Sequence, residues 1–166
     1  MILISTKRLT LRKLEALEKK RLVNLIGNYN VSRCLSNVPF PYLMKDADNW
    51  FKSLSQKKYE FILNIYNSNL LIGGVALTEK EGGYYNLGYW LGEDYWGYGF
   101  ATEAAKGLIE FIKLKNNSVK INAEHSIENK ASENVLKKLG FEFIGYSKIY
   151  SISKKEEVIT KKYILK

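Results

Sequence analysis

Several rhythms of apolar and polar residues follow one another along this chain, and each predicts an element. Ile2 to Leu11 reads as an edge-type strand, and Leu14, Leu17, Leu22, Leu25 and Ile26 then recur at helical spacing. A second short helix is expected to begin near Asp46 and to bury Trp50, Phe51 and Leu54. Phe61 to Tyr66 and Leu70 to Thr78 are apolar, β-rich runs on either side of Asn67-Ser68-Asn69, the composition of a hairpin turn. Gly73-Gly74 inside the second run points to a bulge, and a further strand is expected from Asn86 to Leu91.

The clearest pattern lies beyond a loop at residues 92–98. Ala101, Ala104, Ala105, Leu108, Ile109 and Ile112 form one apolar stripe along a helix, which must pack on a sheet. Val119, Ile121, Ala123 and His125 alternate with Lys120, Asn122 and Glu124, a strand with one face inward. Ala131, Val135, Leu136 and Leu139 give a shorter helix closed by Gly140, where a left-handed cap residue is favoured. Strands over about 141–150 and 158–165 finish the chain. The order implies a mixed α/β layer whose longest helix directly follows a glycine-bearing loop.

A chain of 166 residues is the size of one compact unit, so 1–166 is read as a single domain. A hydrophobic share of 46% with 13% aromatics can build a core and argues against disorder. Lys7, Arg8, Arg12 and Lys13 interrupt the first apolar residues, which fits neither a secretory signal nor a spanning helix, and a soluble cytoplasmic protein is expected. One cysteine, Cys34, excludes an internal disulfide and reads as an ordinary buried thiol; one histidine cannot make a His-rich metal site, and no metal is expected. A net charge of +9 favours an anionic partner: nucleic acid, a membrane surface or a polyphosphate-bearing small molecule. The tyrosines fall mostly in predicted strands instead of interleaving with Lys and Arg, which argues against a nucleic-acid-binding module.

Candidate chemistry is concentrated in Gly92-Glu93-Asp94-Tyr95-Trp96-Gly97-Tyr98-Gly99-Phe100-Ala101-Thr102-Glu103-Ala104. A helix N-terminus carries unpaired N–H groups and partial positive charge, and glycines let the preceding backbone approach a phosphate closely. A tight strand-to-helix turn without a ligand gives the same pattern. The Gly-Lys-Ser/Thr ending of a Walker loop is absent, and a dinucleotide fold would carry its glycines at the first strand of a βαβ series.

Three motifs together go further. Thr6-Lys7-Arg8-Leu9-Thr10-Leu11-Arg12, the run Leu87-Gly88-Tyr89-Trp90-Leu91 with Tyr95 to Ala104, and Asn129-Lys130-Ala131-Ser132-Glu133-Asn134-Val135-Leu136-Lys137-Lys138-Leu139-Gly140-Phe141 resemble, in order, the signatures of the GNAT N-acetyltransferases. The branch resembled is that of the ribosomal-protein N-terminal acetyltransferases and their small-molecule relatives. The resemblance implies a mostly antiparallel mixed sheet with helices on both faces and a splayed, cofactor-binding strand pair. It also implies acetyl transfer from acetyl-coenzyme A to a primary amine by direct attack in a ternary complex, without metal. The pantetheine arm would pair with the strand from Tyr89 through Leu91 to Gly92. The pyrophosphate would meet the N–H groups of Trp96, Gly97, Tyr98, Gly99, Phe100, Ala101 and Thr102, with the Thr102 hydroxyl beside them. Asn129 corresponds to a side chain that contacts the cofactor, and Ser132 lies close to the departing sulfur; both residue types also serve as helix caps.

Three departures from the family pattern bear on catalysis. Asp94 stands where a Gln or Arg often opens the pyrophosphate motif, Leu136 replaces a tyrosine general acid, and Tyr85 and Asn86 stand where many relatives present a glutamate. Ser132 or a water is then the proton donor. Glu124 and His125 are the substitutes for the base, with a solvent-facing carboxylate and a packed core histidine as the plainer readings. Glu93 could attract a cationic amine or be an exposed loop carboxylate. Ribosomal-protein N-termini, polyamines, antibiotics and amino-acid amines are all acceptors in this branch, and either a monomer or a homodimer suits it. A catalytically silent coenzyme A-binding domain would keep the same loop. The segments facing the acceptor are expected at about 28–45 and 147–158.

Overall fold

Polar side chains break the first predicted strand in two. The structure, a computed structural model, describes residues 2–56 and 61–166. Ile2 to Leu11 contributes to a hairpin of β1 (Leu3–Ser5) and β2 (Thr10–Arg12), in register Leu3↔Arg12 to Ser5↔Thr10. Thr6 closes the turn: its N–H donates to the Leu9 carbonyl at 2.9 Å, and its hydroxyl accepts from the Leu9 N–H at 3.1 Å. A hydroxyl that satisfies nearby main chain competes with the extended ladder, and here it wins.

Helix α1 (Lys19–Ile26) begins later than the apolar spacing suggests, after a 3₁₀ turn at Ala16–Glu18. Glu18 is drawn toward the sheet by Arg12 and Tyr66, and Leu17 is left 82% exposed. After the short α2 (Tyr29–Ser32), α3 (Met44–Ser53) starts ahead of Asp46. Asp46 sits at the third helical position and its carboxylate accepts from the Leu43 N–H at 2.8 Å, the return half of a capping box. Within α3 Ala47 is buried, while Trp50 and Phe51 are partly so.

Strands β3 (Phe61–Asn67) and β4 (Leu70–Lys80) are joined through Ser68 and Asn69, both left-handed at φ 48° and 63°. Two consecutive positive φ values give a turn whose twist matches the flanking strands, and asparagine tolerates that region well. The β-bulge falls just before the predicted glycine pair: Ile65 pairs with Gly73 but Tyr66 with Leu71, leaving Ile72 as the extra residue. The glycines answer to crowding instead. A Cβ on Gly73 would stand 2.3 Å from the Trp90 carbonyl oxygen, and one on Gly74 2.5 Å from Trp90 Nε1.

Strand β5 (Tyr84–Leu91), helix α4 (Phe100–Lys115), β6 (Lys120–Ser126), α5 (Lys130–Lys138), β7 (Glu142–Ser151) and β8 (Glu156–Leu165) complete the order. All eight strands form one sheet, β1-β2-β3-β4-β5-β6-β8-β7, antiparallel throughout except for the parallel β5/β6 pair. Alternation along the strands sends side chains into two cores. Leu63, Ile65, Val75, Leu77 and Leu87 pack with Ala104, Ala105, Leu108, Ile109 and Ile112 of α4; Tyr66 and Leu71 pack on the other face with Leu22 and Ile26 of α1 and Ala47 of α3. The whole predicted stripe of α4 is buried or half-buried, and burying each of its larger aliphatic residues is worth roughly 1.5–3 kcal/mol. The fold is thus a mixed, mostly antiparallel sheet with helices on both faces. No described helix is long and apolar enough to cross a membrane.

Candidate active site

Strands β5 and β6 pair only from Tyr84↔Lys120 to Leu87↔Ala123. Beyond that point β5 stays with β4 as far as Leu91↔Gly73, while β6 follows β8 as far as Ser126↔Thr160. The two strands therefore part, and a gap opens between Gly88–Leu91 and Glu124–Ser126. The Gly92 N–H donates to the Ile72 carbonyl at 2.9 Å, so by alternation Gly88 and Trp90 also turn their main-chain groups to β4 and those of Tyr89 and Leu91 face the gap. The Leu91 carbonyl is engaged by the Trp96 indole N–H at 2.9 Å. The open edge thus consists of the Tyr89 main chain and the Leu91 N–H, with Gly92 excluded because its N–H is committed to the sheet.

A 3₁₀ turn at Glu93–Tyr95 leads from this strand to α4. The Trp96 N–H donates to the Glu93 carbonyl at 3.1 Å, and the next main-chain donor with an acceptor is Glu103, bonded to the Gly99 carbonyl at 3.1 Å. Between them, the N–H groups of Gly97, Tyr98, Gly99, Phe100, Ala101 and Thr102 meet no acceptor among the described residues. The row expected from Trp96 to Thr102 therefore begins one residue later, and Trp96 acts by pinning the strand through its indole. Gly97 (φ 84°) and Gly99 (φ 78°) are left-handed, a conformation that costs a residue with a Cβ about 1–2 kcal/mol.

Arg8 and Glu103, which lie within the first and second motifs without a role read from them, brace this turn. The Arg8 guanidinium donates to the Tyr98 carbonyl at 2.9 Å and to the Glu103 carboxylate at 2.6 Å, and lies 4.6 Å over the Phe100 ring. The Thr6 hydroxyl and the Arg8 N–H add bonds to the same carboxylate at 2.6 and 2.7 Å. Burial alone would raise the Glu103 pKa, but the hydrogen bonds from Thr6 and Arg8 outweigh it and hold the carboxyl below its ordinary value. The negative charge in the first turn of α4 is thereby kept and compensated by the Arg8 guanidinium.

Across the gap, Asn129 caps α5: its side-chain oxygen accepts from the Ser132 N–H at 3.0 Å, leaving its amide N–H₂ without an acceptor among the described residues. The Ser132 hydroxyl lies 2.8 Å from Tyr89 Oη. Burial pushes the Tyr89 phenol up to about 12. Glu124 and His125 point to opposite sides of β6. Glu124 is half-buried on the face away from α4 and α5, and its carboxylate accepts from the Thr160 hydroxyl. His125 is 6% exposed, stacks on Tyr163 at 5.3 Å and sits with Nδ1 2.7 Å from the Ser126 carbonyl oxygen. That oxygen only accepts, so Nδ1 carries the proton and Nε2 accepts from Tyr163 Oη at 3.2 Å. Burial lowers the His125 pKa, and both ring nitrogens are engaged.

Other predicted residues find different roles. Glu93 is exposed but tied, accepting from Asn28 Nδ2 at 2.5 Å and Asn30 Nδ2 at 2.9 Å. Asp94 is exposed, and Tyr85 packs edge-on to Phe61. Cys34, expected to be buried, is exposed, its thiol directed at the Asn30 carbonyl at 3.4 Å. The two segments expected to face the acceptor meet each other: the Ile152 N–H donates to the Ser36 carbonyl at 2.8 Å.

Comparisons with known proteins agree with this fold. The uncharacterized N-acetyltransferase p20 of Bacillus licheniformis is 30% identical over 155 residues, covering 90% of this chain and 87% of p20. Among solved structures, the acetyltransferase from Salmonella typhimurium that modifies the N-terminal serine of ribosomal protein L7/L12 superposes with a TM-score of 0.83 at 17% identity, over 99% of this chain and 98% of that one. The microcin C7 self-immunity acetyltransferase MccE, in complex with acetyl-CoA and AMP, gives 0.83 at 20% identity, over 96% and 92%. The acetyltransferase (GNAT) domain family matches residues 8–142, from the arginine that braces the glycine turn to the start of β7, and the chain belongs to that family of acetyltransferases.

Proposed function

We propose that this chain works in the cytoplasm as one acetyltransferase domain over residues 1–166, moving an acetyl group from acetyl-coenzyme A to a primary amine by direct attack in a ternary complex. The observation that carries the reading is the row of six N–H groups from Gly97 to Thr102 that meet no acceptor among the described residues, beside an open strand edge. Such a row favours a diphosphate, and the Thr102 hydroxyl lies in the same helical turn. The Tyr89 main chain and the Leu91 N–H suit the amide-bearing arm, and the Asn129 amide can donate from the far side of the gap.

Acetyl-coenzyme A supplies the acyl group already activated as a thioester. An α-amine with a pKa of roughly 8, or a lysine near 10, must lose a proton before it attacks. Helices α4 and α5 cover the face that receives the cofactor, so the amine approaches from the other face, where Glu124 stands. Glu124 is assigned the proton-accepting role in preference to His125. Ser132 is assigned to the departing sulfur, and main-chain N–H groups at the gap to the thioester oxygen as it gains charge.

Two measurements test the reading in sequence. Calorimetry with coenzyme A at low ionic strength should show binding; its absence would overturn the proposal. Transfer from labelled acetyl-coenzyme A is then followed with a serine-initiated peptide, spermidine, kanamycin and lysine as acceptors. Coenzyme A binding without transfer to any amine would leave a silent binding domain.

A further inference from the structure

Serine hydroxyls in or beside the helical turns of this protein are usually engaged by the main chain. Ser32 Oγ donates to the Tyr29 carbonyl at 3.4 Å, Ser53 to that of Trp50 at 2.7 Å and Ser55 to that of Lys52 at 3.0 Å. Back-bonding of this kind is the ordinary fate of a helical serine. Ser132 differs: its hydroxyl has one partner among the described residues, Tyr89 Oη at 2.8 Å, and that partner comes from the other side of the β5/β6 gap.

The direction of this hydrogen bond follows from its neighbours. Tyr89 Oη also lies 3.2 Å from the Ser132 carbonyl oxygen, an atom that only accepts, so the single phenolic hydrogen is given there and the Ser132 hydroxyl donates to Tyr89 Oη. With a pKa of about 12 the phenol keeps that hydrogen throughout the working range of an acetyltransferase. Both contacts thus fix the Ser132 side chain, and its hydrogen becomes available to a third atom when the phenolic hydrogen swings from the Ser132 carbonyl to Ser132 Oγ. Asn129 meanwhile holds the Ser132 N–H, so main chain and side chain are fixed from opposite sides.

We propose that Tyr89 is a positioning residue for acetyl transfer: it spans the gap, holds the Ser132 side chain and, by turning its own hydrogen from the Ser132 carbonyl to Ser132 Oγ, releases the Ser132 O–H to the thioester sulfur. The inference rests on the transfer reading above. In that reaction the amine nitrogen bonds to the acetyl carbon, the carbon–sulfur bond breaks and its electron pair leaves on sulfur. The nitrogen loses one proton and the sulfur gains one, so the products are an amide and a thiol. The Ser132 O–H stabilises the departing pair, and the bond received from Tyr89 polarises it into a stronger donor. Neither hydroxyl finishes deprotonated, because an alkyl thiol, at roughly 8.5 by analogy with cysteine, holds its proton less tightly than either hydroxyl.

Thiol release from acetyl-coenzyme A should be measured on wild type, Tyr89→Phe, Ser132→Ala and the double variant, using whichever of the four acceptors turns over fastest. Phenylalanine keeps the ring and its packing. Tyr89→Phe should lower kcat roughly 3- to 10-fold, the loss of one ordinary hydrogen bond, with the KM for acetyl-coenzyme A unchanged. Ser132→Ala should lower kcat about 100-fold, and the double variant should be no slower than Ser132→Ala alone. A purely structural tyrosine would shift the melting temperature and add its loss to that of Ser132→Ala. An unchanged kcat for Tyr89→Phe in an active wild type, or a fully additive double variant, overturns the inference alone. A wild type that binds coenzyme A and releases no thiol overturns the transfer reading and the inference with it.

Discussion

Glu18 receives donors from three directions. The Arg12 guanidinium reaches it at 2.8 and 3.1 Å, the Tyr66 hydroxyl at 2.7 Å and the Glu15 N–H at 2.9 Å. Burial would raise its pKa, but the bonds from Arg12, Glu15 and Tyr66 prevail and lower it. A carboxylate whose pKa falls on folding adds stability above its unfolded value and loses it as pH drops through the folded one. Glu18→Gln should therefore be less stable than wild type by about 1–3 kcal/mol at pH 7. In thermal melts the difference should narrow below the ordinary carboxylate pKa and vanish once pH is under the depressed one; a constant difference across that range would contradict the assignment. At this scale the sequence is least legible. Glu103 is bonded to Thr6 across 97 positions and Tyr89 to Ser132 across 43, and no local period encodes such pairs. The turn at Gly97 and Gly99 was readable because a strand-to-helix connection needs left-handed residues that glycine adopts without strain. That the N–H groups of Gly92 and Trp96 are already engaged follows only from the Ile72 and Glu93 carbonyls that three-dimensional folding brings to them.

Helix α4 was legible almost residue by residue, since its stripe must cover a sheet and tolerates no polar interruption. Leu108, fully buried at its centre, contacts the larger core. Leu108→Ala should cost 2–5 kcal/mol on the scale of core leucine deletions, measured by denaturant unfolding. A loss under about 1 kcal/mol would mean that the helix packs less tightly than described. The missed boundaries share a cause: a side chain that satisfies nearby main chain overrides hydrophobic spacing. Thr6 splits the first strand, Glu18 turns Leu17 outward and Asp46 moves the start of α3 upstream. Alternation located β6 correctly, but the separation of β5 from β6 depends on partners far along the chain, β4 holding one strand and β8 the other.

The whole molecule consists of two sheet portions joined by a short ladder. Strands β1 to β5 form one portion and β6, β8 and β7 the other, and the pairs from Tyr84↔Lys120 to Leu87↔Ala123 are the strand pairing between them. A net charge of +9 would favour the approach of the proposed polyphosphate ligand at low ionic strength. Saturating coenzyme A at about 100 times its Kd should raise the unfolding free energy by roughly 2.7 kcal/mol. Hydrogen exchange should slow at Tyr89 and Leu91 and along β6 and β8; protection confined to the glycine turn would argue against a ligand lying between the strands.

That short ladder makes the molecule resemble a book bound along part of its spine. A guest lodged where the binding stops would act as the missing stitches, so the protein's stiffness should depend on whether its donor is in place. Acceptor amines would then meet a looser surface before the donor arrives than after it, a physical reason for the thioester to bind first.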